Sequence, residues 1–116
     1  MKLRMRQNSI RLRLTRSEVA LFEETGHLEE MVTFPSGTLR YVLERSSTSN
    51  TRADFVNGSI TVSVPVEAAR QWVSTSQVGI EASSKMLDIL IEKDFQCAHG
   101  PADEDAYSSG DIEIAG

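Results

Sequence analysis

The strongest pattern in this sequence is an internal repeat at an offset of fifty residues. Segment 9–14 (SIRLRL) aligns with segment 59–64 (SITVSV), and both alternate apolar and polar residues as half-buried β-strands do. The offset holds in the segment that follows, where Phe22 aligns with Trp72 and the residue three positions before each is apolar. This i, i+3 spacing predicts a short helix with one buried face in each copy.

Further strands complete each copy. Leu39–Arg45 aligns with Leu87–Lys93 at an offset of forty-eight, because the loop before it is two residues shorter in the second copy. Asn57-Gly58 between two strands indicates a hairpin turn, since both residues tolerate positive φ, and Gln7-Asn8 is its counterpart. Each copy therefore predicts the order β-turn-β-α-β-loop-β.

The two copies are expected to share one core, because a chain of 116 residues has room for a single domain of moderate size. We predict an α+β, mainly β fold in which two ββαββ repeats form one pseudo-two-fold, barrel-like domain. This domain spans residues 1–95, with repeat one at 1–46 and repeat two at 51–95. Residues 46–51 are Ser, Thr and Asn and predict a polar linker. Residues 96–116 hold five acids and no base; we call them the acidic tail and expect them to be flexible.

The ends of both predicted helices carry recognisable signals. Thr15 and Glu18 fit a capping box, in which each side chain bonds a backbone N–H of the other residue. Gly26 stands where a left-handed helix C-cap is expected. Pro65 predicts the start of the second helix, because its fixed φ suits the first turn.

The charges are distributed unevenly. The net charge is −5, yet residues 1–16 hold six basic residues and no acid. Alternate strand positions share a face, so five of these cations are expected on one outer surface. Like charges at this density repel, which makes an anion such as nucleic-acid phosphate a candidate ligand. The five cations, here called the basic stripe, are Lys2, Arg4, Arg6, Arg11 and Arg13, and Arg16 is the sixth candidate contact.

Two interpretations of the basic stripe stay open. It is a solvated face neutralised by the chain's own acids, which we favour, or a surface for DNA. The second repeat has Arg52 and Asp54 opposite Thr61 and Ser63, so it lacks the duplicated patch that a symmetric operator reader needs. The acidic tail could mask the stripe, recruit a basic partner or solubilise the protein, and we favour the last.

Residues 1–15 (MKLRMRQNSIRLRLT) resemble the opening strand, turn and second strand of AbrB/MazE-type swapped-hairpin β-barrels, and residues 58–93 match in outline. In that family two chains interleave their hairpins, so the resemblance implies one such barrel built from a single duplicated chain. It also implies a DNA-binding or antitoxin-like role for the basic first hairpin. The whole chain further resembles a group of uncharacterised bacterial proteins with a segment similar to residues 91–95 (IEKDF) before an acidic tail, a resemblance that implies no activity.

These observations lead to a functional expectation in two forms. We predict a non-enzymatic protein-interaction module, because the net charge is acidic and the basic stripe lies on one side only. The alternative is an AbrB/MazE-like DNA-binding or antitoxin-like regulator that uses the first hairpin. We expect a protein partner, with nucleic acid possible but not favoured and no membrane. The chain is expected to be a monomer with a pseudo-dimeric core or a weak homodimer.

The sequence predicts no catalytic residue, metal or cofactor. It has no phosphate-binding Gly-rich loop, and His27 suits a polar turn better than a catalytic base. Cys97 and His99 are metal-ligand types, but one pair at this spacing does not make a zinc site. The single cysteine and the lack of an apolar run of about 20 residues favour a cytoplasmic protein. The aromatic residues expected in the core are Phe22, Phe55, Trp72 and Phe95.

Overall fold

The computed structural model of the protein describes residues 1–84 and 86–94, so the acidic tail lies outside the described residues. Within them, the order ββαββ occurs twice, as the repeat predicts. The elements are β1 (Lys2–Arg6), β2 (Ser9–Leu14), α1 (Arg16–Thr25), β3 (His27–Phe34), β4 (Gly37–Ser46), β5 (Arg52–Val56), β6 (Ser59–Pro65), α2 (Val66–Ser74), β7 (Gly79–Ser84) and β8 (Leu87–Lys93). Ser46 ends β4, so the linker is one residue shorter than predicted.

The two repeats interleave. Sheet 1 has the strand order β1-β2-β8-β7 and sheet 2 has the order β3-β4-β6-β5, so each sheet combines one hairpin from each repeat. Hairpin neighbours are antiparallel, whereas the central pairs β2–β8 and β4–β6 are parallel and join the repeats. The predicted fold class, mainly β with two ββαββ repeats, is therefore confirmed.

Two equivalent backbone hydrogen bonds reflect the pseudo-two-fold relation between the repeats. The Asp88 N–H donates to the Asn8 carbonyl at 2.9 Å, and the Arg40 N–H donates to the Gly58 carbonyl at 3.0 Å. Asp88 and Arg40 differ by the loop-shortened offset of forty-eight, and Gly58 and Asn8 by fifty. Each hairpin turn is thus hydrogen-bonded to a long strand of the other repeat.

The core lies between the inner faces of the sheets and beneath the two helices. Phe22 and Trp72 are buried there, as predicted, and their rings meet edge to face with centroids 6.2 Å apart. The Trp72 indole N–H donates to the Val78 carbonyl at 3.0 Å, so its polar atom is satisfied. Helices of ten and nine residues are too short to be stable alone, so this packing holds them in place. Leucine and valine residues of the central strands also lie in the core: Leu12, Leu14, Leu43, Val62 and Val64.

The helix ends follow the predicted signals with one adjustment. Thr15 and Glu18 form the reciprocal capping box, and Gly26 has a left-handed φ of 71°. Pro65 is the last residue of β6 and the N-cap of α2. The helix therefore begins at Val66, one residue later than predicted. The φ of −57° at Pro65 suits both the strand end and the helix entry, which explains why the proline marks the junction.

Candidate functional site

The basic stripe lies on the outer face of sheet 1. In the β1–β2 register Lys2 faces Arg13 and Arg4 faces Arg11. The alternate pair, Leu3 and Leu12, points to the core. The predicted clustering of five cations on one surface therefore follows directly from period-two alternation in two paired strands.

Acids of the second repeat neutralise part of the stripe. The Arg13 guanidinium lies 2.5 Å from a Glu92 carboxylate oxygen, and Arg11 lies 3.8 Å from the same atom. The Lys2 ammonium lies 3.2 Å from the Asp94 carboxylate. These partly exposed pairs each contribute at most about 1 kcal/mol of stability, but they lower the local positive potential. Glu92 reaches the stripe because β8 pairs with β2, a long-range contact that the repeat pattern did not predict.

Two cations of the stripe keep their charge open to solvent. Arg4 and Arg6 are exposed, and neither guanidinium forms an ion pair with a described residue. Arg16 does not extend the stripe, because it is the first residue of α1 and its charge repels that of Lys93. Burial, followed by repulsion from Arg16, lowers the pKa of the Lys93 ammonium. The open positive charge is therefore concentrated on the turn half of β1.

The other half of the same sheet face is acidic. A shallow depression of about 480 Å³ crosses β2, β8 and β7, and its lining includes Arg11, Glu81 and Asp88. The Ser83 hydroxyl donates to Asp88 at 2.7 Å. Carboxylates beside the stripe repel phosphate, so this face does not offer a continuous cationic track.

The equivalent face of the second repeat lacks the stripe, as the sequence indicated. Asp54 occupies the position of Arg4, and Val56 that of Arg6. The one cation of β5 is Arg52, whose guanidinium lies 3.6 Å from the Asp54 carboxylate. The basic stripe is thus confined to the first repeat.

The β3–β4 hairpin projects beyond the rest of sheet 2. Pairing of β4 with β6 begins at Arg40 and Ser59, so residues 37–39 have only β3 as a neighbour. In sheet 1, the corresponding pairing of β8 with β2 begins at Asp88, and only Leu87 extends past it. This projection, residues 31–40, is called the arm. The arm results from the two extra loop residues of the first copy. This difference in loop length is the sequence signal that marks the arm.

The arm and, at the opposite edge of sheet 2, β5 expose apolar side chains on the core-facing side of the sheet. Val32 is 41% exposed and Phe34 is 51% exposed, and Phe55 is 70% exposed. Leu39 faces Val32 across the hairpin and is partly buried against the core. We call Val32, Phe34, Leu39 and Phe55 the apolar rim.

The position of Phe55 corrects a prediction. Its period-two pattern placed it on the inner face, and it does pair with the inner residue Ile60. Alternation fixes the face of a strand residue but not how far the opposite layer extends. At the turn end of β5 the opposite layer no longer covers the inner face of sheet 2, so Phe55 is exposed. Phe95, also expected in the core, lies outside the described residues.

Met1 joins the facing edges of the two sheets. Its ammonium forms ion pairs with Glu18 and with Glu30, the second at 2.5 Å, and its carbonyl accepts from the Tyr41 hydroxyl at 3.1 Å. Burial alone would lower the pKa of this ammonium, but hydrogen bonds and charge attraction from the two glutamates raise it. The cluster contains a partner for each charge, which makes it a structural contact between β1, α1 and β3.

The described residues contain no group of three or more histidine, cysteine or acidic side chains that could hold a metal ion. His27 begins β3, half exposed, with its ring 3.5 Å from Glu29. Cys97 and His99 lie outside the described residues. Among the described helices, none has the length and apolar content to cross a bilayer.

Comparison with known proteins gives a match to a family model. No curated protein and no solved structure is significantly similar to this chain. The sequence model of one family covers residues 1–109, which include every strand and helix described above and part of the acidic tail. The chain belongs to this family, DUF7009, a family of unknown function.

Proposed function

We propose that the chain is a non-enzymatic protein-interaction module whose partner covers the apolar rim. The observation that carries this proposal is the exposure of two aromatic rings, Phe34 and Phe55, on the face that forms the core elsewhere in sheet 2. Exposed aromatic surface on a sheet face is a feature of many protein-contact sites. Aromatic residues also dominate the binding energy of such sites, since they bury large areas with little loss of entropy.

The charged surface supports a protein partner over nucleic acid. Three of the five cations of the basic stripe already face carboxylates of the same chain. A nucleic-acid duplex that covers the whole stripe would have to displace Glu92 and Asp94 from those cations and approach the acids of β7 and β8. A protein that docks on the apolar rim meets no such opposition, because the rim lies on the inner face of the other sheet and Arg40 and Glu29, which pair at 3.5 Å, point to the outer face.

Co-purification with matched variants tests the proposal. The Phe34→Ser/Phe55→Ser variant removes both rings of the rim, and Leu21→Ser/Val66→Ser removes similarly exposed apolar side chains from the helices. Each rim substitution is expected to cost about 2 kcal/mol of binding, roughly thirty-fold in affinity. A specific partner should therefore be lost from the rim variant and kept by the helix variant. Equal recovery with both variants would contradict the proposal.

A second candidate is a DNA-binding or antitoxin-like regulator of the AbrB/MazE type. Two observations favour it: the interleaved hairpins match the swapped arrangement that the resemblance implies, and Arg4 and Arg6 are open to an anion. Its test is binding of a labelled random-sequence duplex at low and near-physiological salt. This candidate predicts that Arg4→Ala/Arg6→Ala weakens binding more than Arg11→Ala/Arg13→Ala, with a steep salt dependence. An absence of binding at low salt would remove it.

A further inference from the structure

We propose that the acidic tail of the same chain docks on the outer face of β1 and occupies Arg4 and Arg6. This assigns an intramolecular occupant to the only part of the basic stripe whose charge has no described partner. The inference does not depend on the apolar rim, which lies on the inner face of the other sheet.

The point at which the chain leaves the described residues supports this arrangement. Asp94 donates its backbone N–H to the Leu14 carbonyl at 2.8 Å, which fixes the end of β8 beside the end of β2. Its carboxylate lies 3.2 Å from the Lys2 ammonium. The described chain therefore ends at the first cation of the stripe, and the contact between Asp94 and Lys2 is the first acid–base pair of the proposed series.

The length of the tail is sufficient for the contact. Strands rise about 3.4 Å per residue, so the four steps from Lys2 to Arg6 span about 14 Å. The nine steps from Asp94 to Asp103 can span up to about 30 Å. Acids at Asp103 and beyond therefore reach Arg4 and Arg6 without stretching the chain.

The charges of the two segments are complementary in spacing as well as in sign. Arg4 and Arg6 are two residues apart on an extended strand, so both guanidinium groups project from one face. Asp111 and Glu113 have the same spacing, and so do Asp103 and Asp105. An extended acidic segment alongside β1 can thus present two carboxylates to the two cations.

The second repeat provides an internal control. Its strand β5 is the counterpart of β1 but has Asp54 and Val56 in place of Arg4 and Arg6. An acidic segment should avoid this surface, because Asp54 repels it. Docking at β1 but not at β5 would show that the tail binds through charge and not through non-specific association with a hairpin.

Paramagnetic relaxation in the full chain tests the proposal. Cys97 is the only cysteine, so a Cys97→Ser/Ser109→Cys variant accepts a nitroxide label at one tail position. At low salt the amide signals of Arg4 and Arg6 should lose most of their intensity, while those of Asp54 and Val56 should keep theirs. At about 1 M salt, where the Debye length is about 3 Å, the β1 signals should recover. Equal effects on both strands, or none on β1, would overturn the proposal.

A second variant and a mixing experiment separate the remaining alternatives. Arg4→Asp/Arg6→Val copies the second repeat into the first at two exposed positions, and it should abolish the broadening of β1 while leaving the fold intact. A mixture of labelled, isotope-free chains with unlabelled, isotope-enriched chains detects contact between molecules. Loss of β1 signals in that mixture to the same degree would show that the tail docks on another copy, contrary to the proposal.

Discussion

Arg45 and Lys93 occupy equivalent positions at the ends of β4 and β8, and each donates a hydrogen bond to a backbone carbonyl at the end of its own repeat's helix. The Arg45 guanidinium bonds the Glu23 carbonyl at 3.0 Å, and the Lys93 ammonium bonds the Thr75 carbonyl at 2.7 Å. The last carbonyls of a helix have no partner within it, so a side-chain donor there satisfies a carbonyl that would otherwise lack a hydrogen bond. The repeat thus conserves a contact although the two side chains differ.

Removal of the first of these contacts should destabilise the protein. Arg45→Ala deletes the bond to Glu23 and the packing of the guanidinium against Gly26, and we expect a loss of about 1 kcal/mol. Arg52→Ala is the matched control, because Arg52 is exposed and pairs only at the surface with Asp54; it should change stability by less than about 0.5 kcal/mol. Urea unfolding measures both. Equal effects would show that the helix-end contact adds nothing.

Lys93 should give the protein a distinctive alkaline pH dependence. Its side chain is 4% exposed, and burial followed by repulsion from Arg16 lowers its pKa below 10.5. Between the lowered pKa and 10.5 the unfolded chain still holds a proton that the folded chain has released. Stability relative to a Lys93→Met variant should therefore rise with pH across this window. Parallel pH profiles of the two proteins, measured by thermal unfolding, would contradict the assignment.

The first hairpin turn contains a residue in an unfavourable conformation. Gln7 and Asn57 are equivalent, and both have a φ of 51°, which asparagine tolerates better than glutamine. Gln7→Asn should stabilise the fold by about 0.5 kcal/mol, and Asn57→Gln should destabilise it by a similar amount. Denaturant midpoints of the two variants check the prediction. A stabilising effect of Asn57→Gln would refute it.

The contact between the helices should be a major part of the stability. Phe22→Ala leaves a cavity against Trp72 and should cost about 3 to 5 kcal/mol. Leu21→Ala, at the neighbouring position with 47% exposure, should cost about 0.5 kcal/mol. Trp72 is the single tryptophan, so its fluorescence follows unfolding of this region directly. Similar midpoints for the two variants would mean that the ring contact is not important.

The local parts of the fold could be predicted because each signal lies within a few residues. The turn at Asn57-Gly58, the capping box of Thr15 and the C-cap at Gly26 are all decided by neighbours in the sequence. The interleaving of the repeats was inferred from a resemblance, since the repeat alone does not say which hairpin joins which. The parallel pairing of β2 with β8 depends on contacts between residues about eighty positions apart.

The candidate site also contains features that a local sequence pattern predicts and features that depend on distant residues. The shared face of Arg4 and Arg11 follows from alternation, so the basic stripe could be predicted. Its partial neutralisation by Glu92 could not, because this acid comes from the last strand of the other repeat. The apolar rim was missed for a related reason. The exposure of Phe55 depends on where the opposite layer ends, and no local pattern encodes that boundary.

Site-specific photo-crosslinking in the natural host cells tests the proposed protein-contact role most directly. A benzoyl-phenylalanine at Phe34 replaces an exposed ring of the rim with a reactive ring, and the same substitution at Leu21 of α1 is the control. The proposal predicts one discrete crosslinked protein from position 34, lost when Phe55→Ser is added, and none from position 21. No crosslink at position 34, or the same products from both positions, would contradict it.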